Sequence, residues 1–431
     1  MTGKRGTICG ILLLAFATNL LSAQGRPLAG RTPETGAPES GPSDSDAREA
    51  NERGDTIAEL GPGIDELLEL IEAQTAYRSS VTDRSIQEAM LRGIVASLGD
   101  PFAVVLDTVQ YSHGPEGSLV TEDSQRSPRR GETGIIPGQD QFQRLTVRTV
   151  LPGSPAEQAG IYPGDRLLRI DDTNLAGFTP WEAIPLLTGK PGSAAMITFE
   201  RGGTGPREQA VTFGEHDPET VKVRIGEVRD GDWQDTPGGG IAWLRVYAFL
   251  GDSTIAQWSE AVERIVSTPT VQRIVYDFRD NAGGDNSTIT ILGDLFRTGD
   301  TIVRFESLLR NNQRSEVVRN YDRPRSRLMS YPAVALVNGG TASLAEIAAV
   351  SLRENRSVPI VGLKTFGKGT TQTWVKTRSG FAVHLTLGRW LTPEGRSVNK
   401  QGLSPDLLVR DHPWTARDEQ LLAAVELLTA Q

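Results

Sequence analysis

Cysteine and histidine are scarce in this sequence, and their scarcity excludes several kinds of active site. The 431 residues include one cysteine, Cys9, and four histidines. A disulfide framework, a Cys-X-X-Cys redox pair or a thiolate zinc site needs more than one cysteine, so none can form within one chain. The His-Glu-X-X-His, Gly-X-Ser-X-Gly and P-loop motifs are absent as well. Any catalysis must therefore rely on other groups.

The chain also lacks blocks of basic residues. Its formal net charge is −9 and its pI is about 5.2, so nucleic acid is not expected as a partner. A hydrophobic fraction of 38% and a charged fraction of 23% are typical of a soluble globular protein. The length predicts about two to four domains.

Residues 1–23 have the pattern of a secretory signal peptide. Lys4 and Arg5 precede an apolar run from Ile8 to Leu21, which is shorter than the ~20 residues that cross a bilayer. The small residue Ala23 predicts cleavage after it, so we expect a periplasmic or secreted protein. Because leucine is a poor match at the −3 position, an uncleaved segment that anchors the chain to the inner membrane stays open as the alternative.

Two segments follow the signal peptide. Residues 24–56 are rich in proline, glycine, serine and glutamate, with almost no large apolar residue, which predicts a disordered linker. Residues 57–112 form a predicted N-terminal helical region, because apolar residues recur there at helical spacing. Its second helix is expected to end at Gly99-Asp100-Pro101, since glycine and then proline terminate helices.

Residues 115–203 contain a glycine-rich string and two helix-capping signals. The string Gly153-Ser-Pro-Ala-Glu-Gln-Ala-Gly160 is followed by Gly164-Asp165, and this combination is similar to the PDZ modules of bacterial proteases. Ser154 is expected to cap a short helix, and Thr179-Pro-Trp-Glu182 is a capping box that opens another.

The resemblance implies a peptide-binding groove. A carboxylate-binding loop would lie at Gly134, Ile135 and Ile136, where backbone N–H groups bind the terminal carboxylate of a peptide and the next strand pairs with the peptide backbone. The predicted helix over 180–187 would form the other wall. The alternative is that Ile135 and Ile136 are only strand core.

Residues 204–431 show alternating strand and helix patterns, which predict an α/β unit. A strand over Ala333–Val337 and a helix over Leu344–Arg353 place Ser343 at a strand-to-helix turn, where the N–H groups of the helix start have no partner within the helix. A second glycine-rich turn, Gly283-Gly284, lets the backbone approach a substrate closely. This arrangement suits acyl transfer with a serine nucleophile and backbone oxyanion donors.

Few residues are available as the base for such a nucleophile. No histidine lies in a glycine-rich turn, whereas Lys368 stands between Gly367 and Gly369. The alternative is a solvated loop lysine. An unperturbed lysine has a pKa of ~10.4, so a base near neutrality needs a pKa lower by roughly 3 units, which burial can produce. We therefore expect Lys368 to be largely buried with no carboxylate close by.

Four motifs together resemble the carboxy-terminal processing peptidases, also called tail-specific proteases, which use a serine–lysine dyad. The matching segments are Asp277–Gly284, Gly340–Ile347, Phe366–Gln372 and Leu391–Ser397 with Gly402–Asp406. The resemblance covers roughly residues 57–431. It implies a multidomain α/β fold with a crotonase/Clp-like ββα peptidase core, an inserted PDZ domain and an N-terminal helical segment.

The resemblance also implies a role for each matching residue. Ser343 would be the nucleophile, Lys368 the general base, and Gln372 the residue that holds the lysine. The oxyanion hole would take the N–H of Leu344 and one N–H from Gly283 or Gly284. Some family members have an aspartate eleven residues after the serine, and the resemblance implies that Glu354, at that position here, is a third member of the site. No metal or organic cofactor is implied.

The expected function is that of an exported serine endopeptidase that recognises the C-terminal tails of protein substrates through its PDZ domain. The groove would also accept an adaptor or activating peptide. The main alternative is a catalytically inactive PDZ scaffold that binds protein C-termini. A crotonase-like acyl enzyme is a further alternative, because that fold also uses glycine-rich oxyanion loops.

Overall fold

The computed structural model describes residues 82–107, 131–140, 142–214, 218–308, 314–320, 327–410 and 417–430. The chain divides into two units, Met1–Ile94 and Val95–Gln431. The described part of the first unit, 82–94, consists mainly of the start of helix α1 (Asp83–Ser97). The predicted signal peptide, the linker and the first predicted helix lie outside the described residues. None of the helices in the described ranges is long and apolar enough to cross a membrane.

The chain leaves helix α1 at the predicted glycine. Gly99 has a φ of +64°, a conformation that glycine adopts without strain and that ends helices. The segment from Asp100 to Ala103 then leads into strand β1 (Val104–Asp107).

The predicted PDZ segment folds around a six-stranded antiparallel sheet in the order β3-β4-β5-β8-β9, with β6 paired to β5. Its strands are β2 (Gly131–Glu132), β3 (Ile135–Gln139), β4 (Leu145–Val150), β5 (Arg166–Ile170), β6 (Thr173–Asn174), β7 (Thr188–Gly189), β8 (Ala194–Glu200) and β9 (Pro206–Thr212). Strands β2 and β7 pair separately. Two short helices, α2 (Pro155–Gln158) and α3 (Pro180–Ala183), begin at the predicted caps Ser154 and Thr179, and a 3-10 turn over Ile184–Leu187 continues α3.

The compact sheet extends beyond the boundary predicted at residue 203. Strand β9 pairs with β8 along its whole length, and Val211 and Phe213 are buried in the core of this segment. Strand β9 is polar and exposed over most of its length, so its sequence does not show the apolar alternation of a core strand.

After the PDZ segment, the unit Val95–Gln431 contains a seven-stranded mixed sheet in the order β11-β10-β12-β13-β16-β17-β20. Its strands are β10 (Val221–Arg229), β11 (Asp232–Asp235), β12 (Ile241–Val246), β13 (Arg273–Asp277), β16 (Ala333–Val337), β17 (Ile360–Gly362) and β20 (Leu407–Leu408). The last five of these strands run parallel to one another. The apolar residues of β12, β13, β16 and β17 are buried on both faces, as parallel strands covered by helices require, whereas Leu407 and Leu408 of β20 are exposed.

Helices cover the two faces of this sheet. Helices α4 (Gly251–Val266) and α5 (Leu344–Arg356) bury their apolar stripes on one face, and α6 (Glu419–Thr429) packs on the other. A 3-10 helix spans Asn286–Leu295. The sheet therefore presents the carboxyl ends of β13 and β16 at one edge, where ligands bind in open α/β sheets.

A five-stranded antiparallel sheet completes the described fold, with β1, β19, β14 and β15 in that order and β18 paired to β19. Its remaining strands are β14 (Thr301–Ser307), β15 (Ser315–Arg319), β18 (Thr370–Lys376) and β19 (Phe381–Leu391). Lys368 lies in the loop that connects β17 to β18. Strand β19 pairs with β18 and contributes residues that surround this lysine.

Candidate active site

Ser343 occupies the turn between strand β16 and helix α5. Its backbone has φ of 54° and ψ of −120°, a sparsely populated conformation for a residue with a side chain, which costs of order 1–3 kcal/mol and is typical of functional sites. The residue is half-buried. Its N–H donates to Oε2 of Glu346 at 2.9 Å, so the strained turn is held by a side chain from the first turn of the helix.

The loop after β13 packs directly against this turn. Asn281 is buried, and its backbone carbonyl accepts a hydrogen bond from the N–H of Ala342 at 2.9 Å. A Cβ on Gly283 would lie 2.8 Å from Cβ of Ser343 and 3.0 Å from the nitrogen of Leu344, and a Cβ on Gly284 would collide with the carbonyl oxygen of Phe249. Both positions therefore require glycine, because a side chain there would collide with neighbouring atoms.

This geometry reduces the set of candidate donors for the oxyanion hole. The N–H of Gly283 donates to Oδ1 of Asn281 at 2.8 Å, which leaves Gly284 as the donor from the predicted pair. Leu344 is the first residue of α5, and the N–H groups of the first helical turn have no acceptor within the helix. We therefore assign the candidate oxyanion hole to Leu344 and Gly284.

Lys368 is half-buried rather than largely buried as predicted. Its Nζ donates to Oε1 of Gln372 at 2.6 Å and lies 3.4 Å from the carbonyl oxygen of Thr370. The same atom is 4.6 Å from the centroid of the Phe102 ring. The ammonium group thus contacts an amide oxygen, a backbone carbonyl and an aromatic face.

Gln372 is oriented by two further contacts. Its Nε2 donates to Oγ1 of Thr370 at 2.9 Å and to Oγ1 of Thr386 at 3.0 Å. These bonds turn the amide oxygen toward Lys368. The structure therefore brings Gln372 to the lysine as the family resemblance implies.

Glu346 is a site residue that the sequence reasoning missed. Its buried carboxylate accepts hydrogen bonds from Oγ1 of Thr365 at 2.5 Å and from the N–H groups of Gly367, Lys368 and Ser343 at 2.8, 2.9 and 2.9 Å. Burial raises the pKa of Glu346 above its usual range, and these hydrogen bonds oppose the rise only in part. The Ser-X-X-Glu spacing of a capping box was the available sequence signal.

This carboxylate binds the backbone of both Ser343 and Lys368, the predicted nucleophile and base. The backbone nitrogens of Ser343 and Lys368 are each 2.9 Å from the same oxygen, Oε2 of Glu346, so the two nitrogens lie within about 6 Å of each other. Residues that are 25 positions apart in the chain are thus joined through one side chain.

Glu354 does not belong to this site, which corrects the prediction that it is a third member. Its buried carboxylate accepts hydrogen bonds from the N–H of Glu394 at 2.8 Å and from Nη2 of Arg396 at 2.6 Å. Eleven residues of α-helix advance about 16 Å along the axis, so α5 carries Glu354 away from Ser343. Its observed contacts support the turn before residue 397 instead.

A buried ion-pair network lies behind the loop that follows β13. Arg279 makes two hydrogen bonds to the carboxylate of Asp277 and two to that of Asp418 at the start of α6. Burial alone would raise the pKa of Asp277, but the charges of Arg279 and Arg245 outweigh it and lower the pKa to about 2. The network holds the loop and the C-terminal helix together.

Among the strands that the structure describes, β3 is an outer strand of the PDZ sheet, so the predicted carboxylate-binding loop lies at the edge of that sheet. Gly134 has a φ of +80°, and a Cβ there would collide with the side chain of Ser154. Ile135 is buried in the core, whereas Ile136 is half-buried. The core alternative therefore holds for Ile135, while Ile136 faces a less enclosed environment.

Residues of strand β4 also contact the turn that carries Ser343 and the loops beside it. Nη1 of Arg148 donates to the carbonyl of Gly339 at 2.9 Å, and its guanidinium lies 4.7 Å from the Phe366 ring centroid. Oγ1 of the neighbouring Thr149 donates to the carbonyl of Asp280. The PDZ segment thus touches all three loops of the candidate site.

Comparisons with known proteins agree with this architecture. The model of peptidase family S41 matches residues 240–409, and a PDZ domain model matches residues 146–201. The carboxy-terminal processing proteases CtpA and CtpB of Bacillus subtilis are 28% and 26% identical over 77% and 80% of this chain. The chain spans 65% and 67% of their lengths.

A solved structure shares the fold. The photosystem II D1 C-terminal processing protease superposes with a TM-score of 0.63 at 24% identity, over 84% of this chain and 90% of that one. The matched peptidase and PDZ regions lie within the two segments described above. The chain therefore contains a peptidase domain of family S41 and a PDZ domain, and it is similar to the carboxy-terminal processing proteases.

Proposed function

We propose that this chain is a serine endopeptidase in which Ser343 is the nucleophile and Lys368 is the general base. The observation that carries the proposal is the shared carboxylate of Glu346, which binds the backbone N–H groups of both residues. The strained conformation of Ser343 at the start of α5 adds support, because such strain persists where it serves a function.

The proposed reaction follows from this geometry. Neutral Lys368 accepts the proton of the Ser343 hydroxyl as Oγ attacks the substrate carbonyl. The developing oxyanion accepts hydrogen bonds from the N–H groups of Leu344 and Gly284. The lysine then donates its proton to the leaving amine, and a water molecule, deprotonated by the same lysine, hydrolyses the acyl-enzyme.

The lysine must lose a proton before it can act. At an ordinary pKa of ~10.4 only about one lysine in 2,500 is neutral at pH 7. The amide oxygen of Gln372 and the carbonyl of Thr370, which bind Nζ in this structure, favour the ammonium form. We therefore infer that the base becomes available when substrate displaces part of this shell.

We further propose that the PDZ groove binds the free C-terminal tails of protein substrates, or of an adaptor or activating peptide. The open edge of β3 and the positive φ of Gly134 support a peptide that pairs with β3 and ends at the loop. The contacts of Arg148 and Thr149 with the loops around Ser343 provide a direct route from this groove to the dyad.

A non-catalytic scaffold is the less favoured function. A scaffold that only binds tails has no use for a strained Ser343 or for a carboxylate that joins it to Lys368.

The parallel strands and the two glycine-rich turns also support a crotonase-like arrangement of the peptidase core, with proteolysis as its chemistry.

Cleavage of a tailed protein tests the dyad. The substrate is a folded protein with an apolar, unstructured C-terminal tail, and an amidated tail serves as the control for carboxylate recognition. Ser343→Ala and Lys368→Ala should each abolish cleavage, whereas Lys364→Ala, an exposed lysine near the same loop, should retain it. Cleavage that survives both dyad substitutions would show that other residues carry the chemistry.

Export remains a separate proposal. Lys4, Arg5 and the apolar run to Leu21 support a signal peptide, and we propose a periplasmic or secreted enzyme. Sequencing the N-terminus of the protein from fractionated cells tests this. A mature chain that begins at Gln24 agrees with the proposal, an intact N-terminus in the membrane fraction indicates an anchor, and an intact N-terminus in the cytoplasm contradicts export.

A further inference from the structure

The ammonium group of Lys368 lies over the face of an aromatic ring from a distant part of the chain. Nζ is 4.6 Å from the ring centroid of Phe102, which is half-buried in the segment before β1. A cation at this distance is attracted by the negative face of the ring. The ring therefore favours the protonated form of the lysine over the neutral form.

Phe102 is held in place on both sides. Its N–H donates to Oδ1 of Asp100 at 3.0 Å, and its carbonyl oxygen lies 3.2 Å from Nδ1 of His384. Burial lowers the pKa of His384 to about 4, although the hydrogen bond with Phe102 acts in the opposite direction. The imidazole is therefore neutral near pH 7, and its remaining proton on Nδ1 is the one that can bind the carbonyl.

Strand β19, which carries His384, also supports Gln372, the other residue that contacts the ammonium group of Lys368. Oδ2 of Asp100 accepts a hydrogen bond from the N–H of Thr386 at 3.1 Å, and Oγ1 of Thr386 accepts one from Nε2 of Gln372 at 3.0 Å. The ring of Phe102 and the amide of Gln372 are thus fixed against strand β19 and converge on one ammonium group.

We propose that Phe102 is a positioning residue that holds the ammonium form of Lys368 and thereby sets the lower pH limit of the peptidase. This inference rests on the proposed function, because it assumes that Lys368 is the base. A serine–lysine dyad is active only where the lysine is neutral. A ring that stabilises the cation moves this condition to higher pH.

Charged and titratable groups other than the ring also surround Lys368. The carboxylate of Glu346 accepts a hydrogen bond from the backbone N–H of Lys368. The carboxylate of Asp100 and the imidazole of His384 bind the backbone N–H and the carbonyl of Phe102. All three groups contact backbone atoms, which a substitution of the Phe102 side chain retains. A difference between variants at this position therefore reports the ring.

The test replaces the ring with apolar groups and with another ring. Phe102→Leu and Phe102→Met remove the π face, Phe102→Tyr keeps it, and Phe142→Leu removes a comparable contact with Arg144 on an exposed turn of the PDZ domain. The pH dependence of kcat/KM is measured on the tailed substrate. The acid midpoint should fall by about 0.4–0.7 unit in the first two variants and stay unchanged in the other two.

A second measurement follows the lysine without catalysis. In a Ser343→Ala background, the rate at which acetic anhydride labels Lys368 is recorded against pH by mass spectrometry, with the exposed Lys364 as the internal reference. The labelling midpoint should fall by the same amount in Phe102→Leu and Phe102→Met. The two aliphatic variants guard against the failure of either to fold, which thermal unfolding checks.

The outcomes separate the two proposals. If the labelling midpoint falls but the activity midpoint does not, Phe102 acts as inferred and Lys368 is not the base. If both midpoints stay at the wild-type value in a folded aliphatic variant, or if Phe102→Tyr shifts as far as Phe102→Leu, the role of the ring is refuted while the dyad stands.

Discussion

Replacement of Glu346 by glutamine is the sharpest test of how the site is held together. The carboxylate accepts one N–H and one hydroxyl hydrogen bond at Oε1, from Gly367 and Thr365, and two N–H hydrogen bonds at Oε2, from Lys368 and Ser343. Glutamine offers only one oxygen, and its NH2 group cannot accept a hydrogen bond. At least one buried N–H therefore loses its acceptor in either orientation of the amide.

The magnitude follows from the orphaned donors. A buried donor left without an acceptor costs about 1–3 kcal/mol. The amide also removes a negative charge whose burial already raises the pKa of Glu346, and this relief offsets part of the cost. We expect Glu346→Gln to lower the free energy of unfolding of the peptidase domain by about 1–2 kcal/mol and to lower kcat/KM at least tenfold, since about 1.4 kcal/mol of transition-state stabilisation corresponds to a factor of ten.

Glu354→Gln is the matched control. It makes the same substitution on the same helix, at another buried carboxylate that accepts a backbone N–H and an arginine. It should destabilise the domain by a similar amount but leave the cleavage rate within about twofold. Urea unfolding followed by tryptophan fluorescence and initial cleavage rates measure the two effects. The reasoning is refuted if Glu346→Gln cleaves at the wild-type rate, or if both variants lose the same activity.

Three further predictions follow from the same contacts. Gly283→Ala should abolish cleavage, because its Cβ would lie 2.8 Å from that of Ser343. The control Gly93→Ala, where no atom lies within 4 Å of the added Cβ, should cleave normally. Equal initial rates for the two variants would contradict the close approach of Gly283 to Ser343. Asn281→Ala should lower kcat/KM more than it raises KM, because the carboxamide holds Gly283 beside the nucleophile turn; steady-state kinetics with a purely KM effect would contradict this. His384 has a folded pKa of about 4, below its ordinary 6.5, so its contribution is present above pH 6.5 and is lost as the pH falls toward 4. Urea unfolding should show that the wild type loses about 3 kcal/mol more than His384→Gln over this range, and parallel pH profiles would contradict it.

Most of the candidate dyad could be predicted because its signals are local. The strand-to-helix turn at Ser343, the glycines around Lys368 and the four-residue spacing to Gln372 are readable in short windows. The sequence did not predict strand β9, because this polar strand is recognised only through its pairing with β8. Glu354 occupied a plausible position in the sequence, but the length of helix α5 separates it from Ser343.

The sequence by itself determined the class of chemistry. With one cysteine and four histidines in 431 residues, it restricted the search for a base and directed it to a lysine between two glycines. Only the tertiary structure decided which groups surround that lysine. Glu346, Phe102 and Thr386 come from three elements far apart in the chain. Local patterns depend on backbone conformation and period, whereas a hydrogen bond or an aromatic contact depends on which distant residues the packed sheets bring together.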